Sequence, residues 1–258
     1  MKICIIGTGM VGSQLASWFK DSLTYDTQKQ SNSWEECSQA DCFFVCVPSN
    51  YKENEEYDLS HLEEAIVKIP DGKLVVIKST VNPGTTDYFQ EKYPDKMFMF
   101  NPEFLSEDSA KKDFFEPDMQ ILGIGVESEK YASEIMMILP SAPITMVVSR
   151  IDAEWIKKIR NSYYAMKVIY FNQMYDIIQK SGASYETIRG IVTKNKWIGD
   201  SHSFINHKDY RGYGGACLPK DTDSLIDYAK RVGAPSELLE TIKQLNELYR
   251  ETGGNSKE

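Results

Sequence analysis

A chain of 258 residues, 41% hydrophobic and 26% charged, has the apolar material for a sizeable core and the length for two linked domains. Its formal charge of -9 argues against nucleic acid or an anionic membrane as a general partner, while local Lys and Arg can still cluster around a phosphorylated substrate. The opening apolar run Ile3-Cys4-Ile5-Ile6 is too short for a signal peptide or a membrane span, and five cysteines without framework spacing read as free thiols in a reducing cytoplasm.

In chain order, apolar runs predict strands at 2–6, 43–47, 73–78, 97–100, 120–124 and 144–148, with a weaker one at Leu23-Thr24-Tyr25. Stretches 13–20, 59–68, 84–92 and 127–138 read as helices, so the first part is a Rossmann-type, doubly wound α/β sheet. Ser149-Arg150-Ile151-Asp152 is a capping box. After it, Ile156, Ile159, Tyr163, Met166, Tyr170, Met174 and Ile177 recur at three- and four-residue steps. They predict a helix over 152–181, about 45 Å long. Its apolar and aromatic surface is wider than one small domain covers, so a homodimer through this helix is expected.

Ser184 caps a shorter helix at 185–194, and a polar, glycine-rich stretch fills 199–220. Two more helices follow at 222–232 and 236–250, and 252–258 reads as a frayed tail. The expected division is the doubly wound α/β domain at 1–148, an all-helical domain at 149–251 and the tail. Cys42 and Cys46 lie in or beside an apolar run and read as core thiols. His202 and His207 lack the acid or cysteine pattern of a metal site, and no metal is expected.

Gly7-Thr8-Gly9-Met10-Val11-Gly12 is a G-x-G-x-x-G segment that follows a predicted strand and opens a predicted helix. Gly7 makes the turn, Gly9 lets backbone approach a pyrophosphate, and Gly12 lets helix and strand pack closely. Asp26 ends the second strand, where a carboxylate binds both ribose hydroxyls and repels a 2′-phosphate; NAD is therefore expected rather than NADP. Val47-Pro48-Ser49 and Lys78-Ser79-Thr80 each close a strand, at the end of the sheet where open α/β folds bind ligands.

Asn101-Pro102-Glu103-Phe104-Leu105-Ser106-Glu107 places two carboxylates four residues apart, either as solvated loop acids or beside the nicotinamide. Lys157 and Asn161 share a helix face, and together suit the oxygen of a substrate alcohol. Tyr210-Arg211-Gly212-Tyr213-Gly214-Gly215-Ala216-Cys217-Leu218-Pro219-Lys220-Asp221 is the most informative segment. Its glycines admit a second molecule close to the backbone, and Lys220 and a nearby helix start favour a thiolate at Cys217. Asp221 either anchors the lysine or caps the helix. Taken alone, Cys217 reads more readily as an inert buried thiol than as a nucleophile.

Taken together, segment 212–221, Pro102-Glu103-Phe104-Leu105, Lys78-Ser79-Thr80 and the Lys157/Asn161 helix resemble the UDP-glucose/GDP-mannose dehydrogenase family, in order and along essentially the whole chain. The resemblance implies oxidation of a nucleotide sugar at C6 with two NAD per turnover. It implies Cys217 as nucleophile, Lys157 and Asn161 around the reacting oxygen, and Glu103 as general acid/base. It further implies Thr80 and Glu107 beside nicotinamide and water, and Lys220 and Asp221 completing the cysteine site. The cofactor surface becomes Gly7, Gly9, Met10, Val11, Gly12, Asp26, Val47, Pro48, Ser49, Ser79, Thr80, Glu107 and Lys220. The sugar is expected to meet Glu103, Phe104, Leu105, Lys157, Asn161 and the 210–214 segment.

Two departures stand out. The family usually carries an arginine before an Ile-Gly upstream of the cysteine; here the residues are Trp197-Ile198-Gly199, with Arg211 as the candidate substitute. The family also continues into a second Rossmann-like domain that grips the nucleotide, and this chain is expected to stop where that domain begins. A single-step β-hydroxyacid-type dehydrogenase fits the length better but leaves Cys217 unexplained. An NAD-binding subunit of a split enzyme is the other alternative.

Overall fold

Successive side chains of a strand face opposite sides, and in the first half of this chain both sides are apolar. The computed structural model describes residues 1–52, 55–207 and 209–252, without the side chains of 52, 55, 56, 207 and 252. The expected tail beyond 252 and the imidazole of His207 therefore lie outside the described residues. The chain divides into two compact units, Met1–Lys157 and Lys158–Glu258.

The first unit holds β1 (Ile3–Ile6), α1 (Met10–Trp18), β2 (Leu23–Tyr25), α2 (Trp34–Cys37) and β3 (Cys42–Val45). The strand pair β4 (Tyr51–Lys52) and β5 (Glu55–Tyr57) leads to α3 (Ser60–Lys68), β6 (Leu74–Ile77), α4 (Thr85–Lys92) and β7 (Met97–Phe100). After them come α5 (Ala110–Phe115), β8 (Met119–Ile124), α6 (Ala132–Ile138) and β9 (Ile144–Ser149). Seven strands form one sheet in the order β2-β1-β3-β6-β7-β8-β9.

Cys4, Ile6, Phe43, Val45, Val75, Ile77, Phe98 and Phe100 face one side, where α3 and α4 add Leu62, Ile66 and Phe89. The alternate residues Ile5, Cys42, Phe44, Val76 and Met99 face the other side, against Leu15 of α1, Phe114 of α5 and Ile135 of α6. This is the expected doubly wound sheet. It is not parallel throughout: β8 meets β7 antiparallel, with Phe100 opposite Gly123, and β9 then runs parallel to β8. A buried strand has the same apolar pattern in either direction, so the sequence carries no sign of the reversal.

Several boundaries differ from expectation. Helix α1 opens at Met10 rather than residue 13, and β3 ends at Val45, leaving Val47 in the following loop. The short helices α2 and α5 were not anticipated, nor were the two-residue strands.

The long helix α7 (Arg150–Lys180) begins in the first unit and continues as the spine of the second. Ser149 caps it, accepting the Asp152 N–H at 3.2 Å. Its first turns are fixed to α4. Arg150 donates to Asp87 at 2.6 Å and to Gln90 at 2.9 Å, and the fully buried Glu154 accepts from the Gly84 N–H at 2.6 Å. Glu154 also accepts from the Thr86 N–H at 2.8 Å and its hydroxyl at 2.6 Å. No side chain of α4 caps its own N-terminus, so a carboxylate 70 residues away does so.

The second unit adds α8 (Tyr185–Val192), the strand pair β10 (Asn206–His207) and β11 (Tyr210–Arg211), α9 (Leu218–Arg231) and α10 (Glu237–Thr252). Ala165, Val168 and Ile169 of α7 pack with Tyr213, Ile242 and Tyr249, while Phe171 packs with Tyr185 and Ile205.

Burial raises the Glu154 carboxyl to about 7, against the lowering effect of its three donors. As pH rises from the ordinary glutamate range to about 7, the unfolded chain releases this proton while the folded chain keeps it. Glu154 therefore contributes a fall in stability across that window, which levels off above it. Denaturant titrations of Glu154→Gln should lack this part of the slope and show a cost of about 1–3 kcal/mol at pH 5, because the amide nitrogen meets donors. An unchanged slope would contradict the capping role.

Candidate active site

The first group of site residues lies at the β1–α1 turn. Gly7 has φ +86°, and a Cβ there would stand 2.9 Å from the Cys46 carbonyl oxygen. A Cβ on Gly12 would stand 1.9 Å from the Gly7 oxygen, which leaves no room for any side chain. At Gly9 a Cβ would meet nothing within 4 Å. No side chain caps α1 at Gly9, so its first-turn N–H groups, beginning with those of Met10 and Val11, suit an external anion.

Asp26 accepts from both the N–H and the hydroxyl of Thr8 at 2.7 Å, and from the Gln28 N–H at 2.9 Å. Burial nudges its carboxyl up, but these hydrogen bonds and the Lys29 charge outweigh that and hold it below the ordinary range. Lys29, which sequence reading passed over, donates to the Thr8 carbonyl at 2.6 Å. An open glycine, an uncapped helix end and an ionised acid after β2 fit a dinucleotide: Gly9 to Gly12 for the pyrophosphate and Asp26 for the ribose.

The loops after β3 and β6 are joined, since the buried Ser79 donates its hydroxyl to the Val47 carbonyl at 2.7 Å. Ser49 and Thr80 are buried and Pro48 is exposed. Lys78 is buried as well, donating to the Asn101 side-chain oxygen at 2.6 Å, and desolvation lowers its ammonium to about 8.

The two acids of the 101–107 loop part company. Glu103 is buried, whereas Glu107 is exposed and Phe104 and Leu105 are half-buried. The Lys157 ammonium donates to the Glu103 carboxylate at 2.5 Å and to its carbonyl at 2.7 Å, and the Leu105 N–H donates to the second carboxylate oxygen at 2.8 Å. Burial pushes the Glu103 carboxyl up, yet the Lys157 charge and these hydrogen bonds win and hold it below the ordinary range. The arrangement is a buried ion pair with the acid as carboxylate, able to accept a proton.

In the second unit, Cys217 is the N-cap residue of α9, half-buried, with Pro219 in the first turn. The helix starts four residues earlier than expected because proline is at home in a first turn. Asp221 therefore lies inside the helix and caps nothing. It is buried, its N–H bonded to the Cys217 carbonyl at 3.0 Å. Its carboxylate accepts from Asn161 at 2.5 Å and from Lys220 at 3.2 Å. Lys158, which the sequence reading missed, donates to the Ser224 hydroxyl at 2.6 Å and stands 3.9 Å from Asp221.

The glycine-rich segment is braced by its own unit. The Tyr213 N–H donates to Asn246 at 2.7 Å, and a Cβ on Gly212 would stand 2.5 Å from the same oxygen. A Cβ on Gly214 would stand 2.5 Å from the Tyr210 hydroxyl, whose ring lies under Arg250 at 3.7 Å. Gly212 and Gly214 thus accommodate neighbours of the chain itself. Arg211 donates to Asn172 at 3.0 Å, pairs with Asp176 at 2.9 Å and stacks on Tyr249. The Trp197-Ile198-Gly199 segment is held by Lys167, which donates to the Ile198 carbonyl at 2.7 Å and that of Gly199 at 3.1 Å. Among the described residues, no group of three His, Cys, Asp or Glu could hold a metal ion, and no helix is long and apolar enough to cross a membrane.

Gly12 and Gly9 should separate folding from binding. Gly12→Ala is expected to destabilise the protein by about 3 kcal/mol or more, since only backbone lies in its way. Gly9→Ala should melt like the unaltered protein yet bind NAD about tenfold more weakly, its methyl occupying the space for the pyrophosphate. Thermal melting and NAD titration check both; unaltered NAD affinity in Gly9→Ala would contradict the assignment.

Residues 15–140 match the NAD binding domain of the UDP-glucose/GDP-mannose dehydrogenase family, and 151–248 match its central domain. The UDP-glucose 6-dehydrogenase of Rickettsia bellii is 32% identical over 245 residues, which cover 91% of this chain and 56% of that protein. The Bacillus subtilis UDP-glucose 6-dehydrogenase YwqF is 32% identical over 220 residues, covering 81% and 49%. The chain thus spans about half the length of the curated relatives it matches. Among solved structures, a UDP-glucose dehydrogenase from Pyrobaculum islandicum aligns with a TM-score of 0.84 and 25% identity, over 96% of this chain and 68% of that one. The 3-hydroxyisobutyrate dehydrogenase of Mycobacterium tuberculosis aligns at 0.75 and 12% identity, over 98% and 95%, a likeness of fold alone. This chain belongs to the UDP-glucose/GDP-mannose dehydrogenase family, with residues 15–140 as its NAD-binding domain.

Proposed function

We propose that the protein catalyses the NAD-dependent four-electron oxidation of a nucleotide sugar, UDP-glucose to UDP-glucuronate, through a thioester on Cys217. The observation that carries this reading is Cys217 at the head of α9, with Lys220 and Asp221 in the turn that follows. Bound NAD supplies the acceptor for each hydride leaving the sugar's C6.

The protein's own part begins with the sugar alcohol. Glu103, held as a carboxylate by Lys157, accepts the hydroxyl proton as the first oxidation yields an aldehyde. The Cys217 thiolate then adds to the aldehyde carbon, forming a C–S bond and an alkoxide. Fixed donors on Lys157 and Asn161, one helical turn apart, stabilise that charge. Loss of the second hydride leaves a thioester. Glu103 passes its first proton to solvent; water then adds to the thioester carbonyl with Glu103 again as base and Thr80 and Glu107 nearby, the C–S bond breaks, and the thiolate returns. A cysteine is needed because the thiohemiacetal turns an aldehyde oxidation into an alcohol-like one.

The β-hydroxyacid reading shares the fold along its whole length but gives Cys217 no task. We further propose a cytoplasmic homodimer through α7, whose exposed Ile159, Tyr163, Tyr170 and Ile177 stand four, seven and seven residues apart. Ile159→Asp with Ile177→Asp should shift sedimentation from dimer to monomer at micromolar concentration; a monomeric unaltered protein would contradict the interface.

Activity is tested by supplying UDP-glucose at high concentration and counting NADH per acid formed. Two NADH per acid are expected, with Cys217→Ala lowering acid formation by about three orders of magnitude or more while NAD affinity holds. One NADH per turnover with a tolerant Cys217 would support the β-hydroxyacid reading. No turnover before mutation would favour a subunit that needs a partner.

A further inference from the structure

Asp221 poses an electrostatic problem. A buried carboxylate one helical turn from Cys217 opposes a second negative charge on the thiol, because like charges in a poorly solvated site raise each other's cost. The acid is nevertheless committed, since it accepts from Asn161 at 2.5 Å. Two ammonium groups stand against it. Lys220, at 3.2 Å, is partly exposed and belongs to the expected cofactor surface, so its charge is shared with solvent and ligand. Lys158, at 3.9 Å, is 0% exposed and fixed by its hydrogen bond to Ser224. It is the counter-charge that neither solvent nor cofactor can claim.

Neighbouring ionisable groups on these helices have partners of their own, Lys157 pairing with Glu103 at 2.5 Å. Asp223 pairs with Lys243 of α10 at 3.2 Å, in a group with Asp227 and Glu247. On α7, Arg160 donates to the Tyr164 hydroxyl at 3.1 Å.

We propose that Lys158 is a positioning residue for Cys217: its buried ammonium offsets the Asp221 carboxylate, so that the acid can orient Asn161 without suppressing the thiolate one turn away. This rests on the reading of Cys217 as the nucleophile. Lys158 touches neither substrate nor cofactor in this scheme and acts through Asp221.

The test is the rate of Cys217 alkylation by iodoacetamide across pH, on the full chain, with the modified residue assigned by peptide mass and the helical circular dichroism and its thermal melting as the check on folding. Lys158→Met should slow alkylation about tenfold at neutral pH and move its pH profile upward. Lys158→Met combined with Asp221→Asn should return to within about twofold of the unaltered rate, because the charge to be offset is gone. A merely structural lysine would make the double variant as slow as the single or slower, which would overturn the proposal.

If Lys158→Met does not fold, Asp221→Asn alone decides: alkylation at least as fast as in the unaltered protein is expected, and slower alkylation of a folded variant would overturn it. An unaltered Cys217 that reacts no faster at neutral pH than free cysteine would sink both this proposal and the nucleophile reading. A reactive Cys217 indifferent to Lys158→Met would sink this proposal alone.

Discussion

A carboxyl group taken out of water without a partner costs several kcal/mol, and among the described residues three are buried on or against one helix: Glu103, Glu154 and Asp221. Each is satisfied through α7. Lys157 pairs with Glu103, Glu154 caps α4 from α7 itself, and Asn161 and Lys158 meet Asp221. Residues 154, 157, 158 and 161 fall within about two helical turns, so this stretch must form as a helix for any of the three acids to be tolerated.

That dependence explains why the polar residues here are a poor place for single substitutions. Removing one member of a buried pair strands the other and costs about 3–5 kcal/mol, whereas exposed pairs on the same protein cost little. Lys92 and Glu63 form such an exposed pair between α4 and α3, in contact yet screened by solvent. Hydrogen bonding also fixes direction. Asp221 takes one N–H of the Asn161 amide at 2.5 Å, which fixes how the amide is turned about its own side chain.

The legible parts of the sequence were those encoded locally. Gly7, Gly9 and Gly12 announce their turn by spacing, Ser149 and Asp152 announce the start of α7, and the unbroken apolar run Phe43-Phe44-Val45 announces a strand buried on both faces. A local signal was also overlooked. Ser33 and Glu36 form a complete capping box, so α2 was within reach of the same reasoning. The start of α9 lies four residues before the expected 222, since Pro219, inside the glycine-rich stretch 199–220, suits the first turn of a helix.

The rest was not local. Glu154 finds its donors 70 residues away, Lys158 meets Ser224 across 66, and nothing in either neighbourhood separates them from the charged residues that ordinary helices expose. The split between Glu103 and Glu107 likewise follows from where Lys157 reaches, since the two acids look equivalent in sequence. The central claim, that oxidation passes through a covalent bond at residue 217, is tested most directly by mass spectrometry of intact Cys217→Ser protein held with NAD and UDP-glucose. A serine ester hydrolyses slowly, so the account predicts a mass increase of one sugar-acyl group that maps to residue 217. Acid formation by a variant that never carries that mass would contradict it.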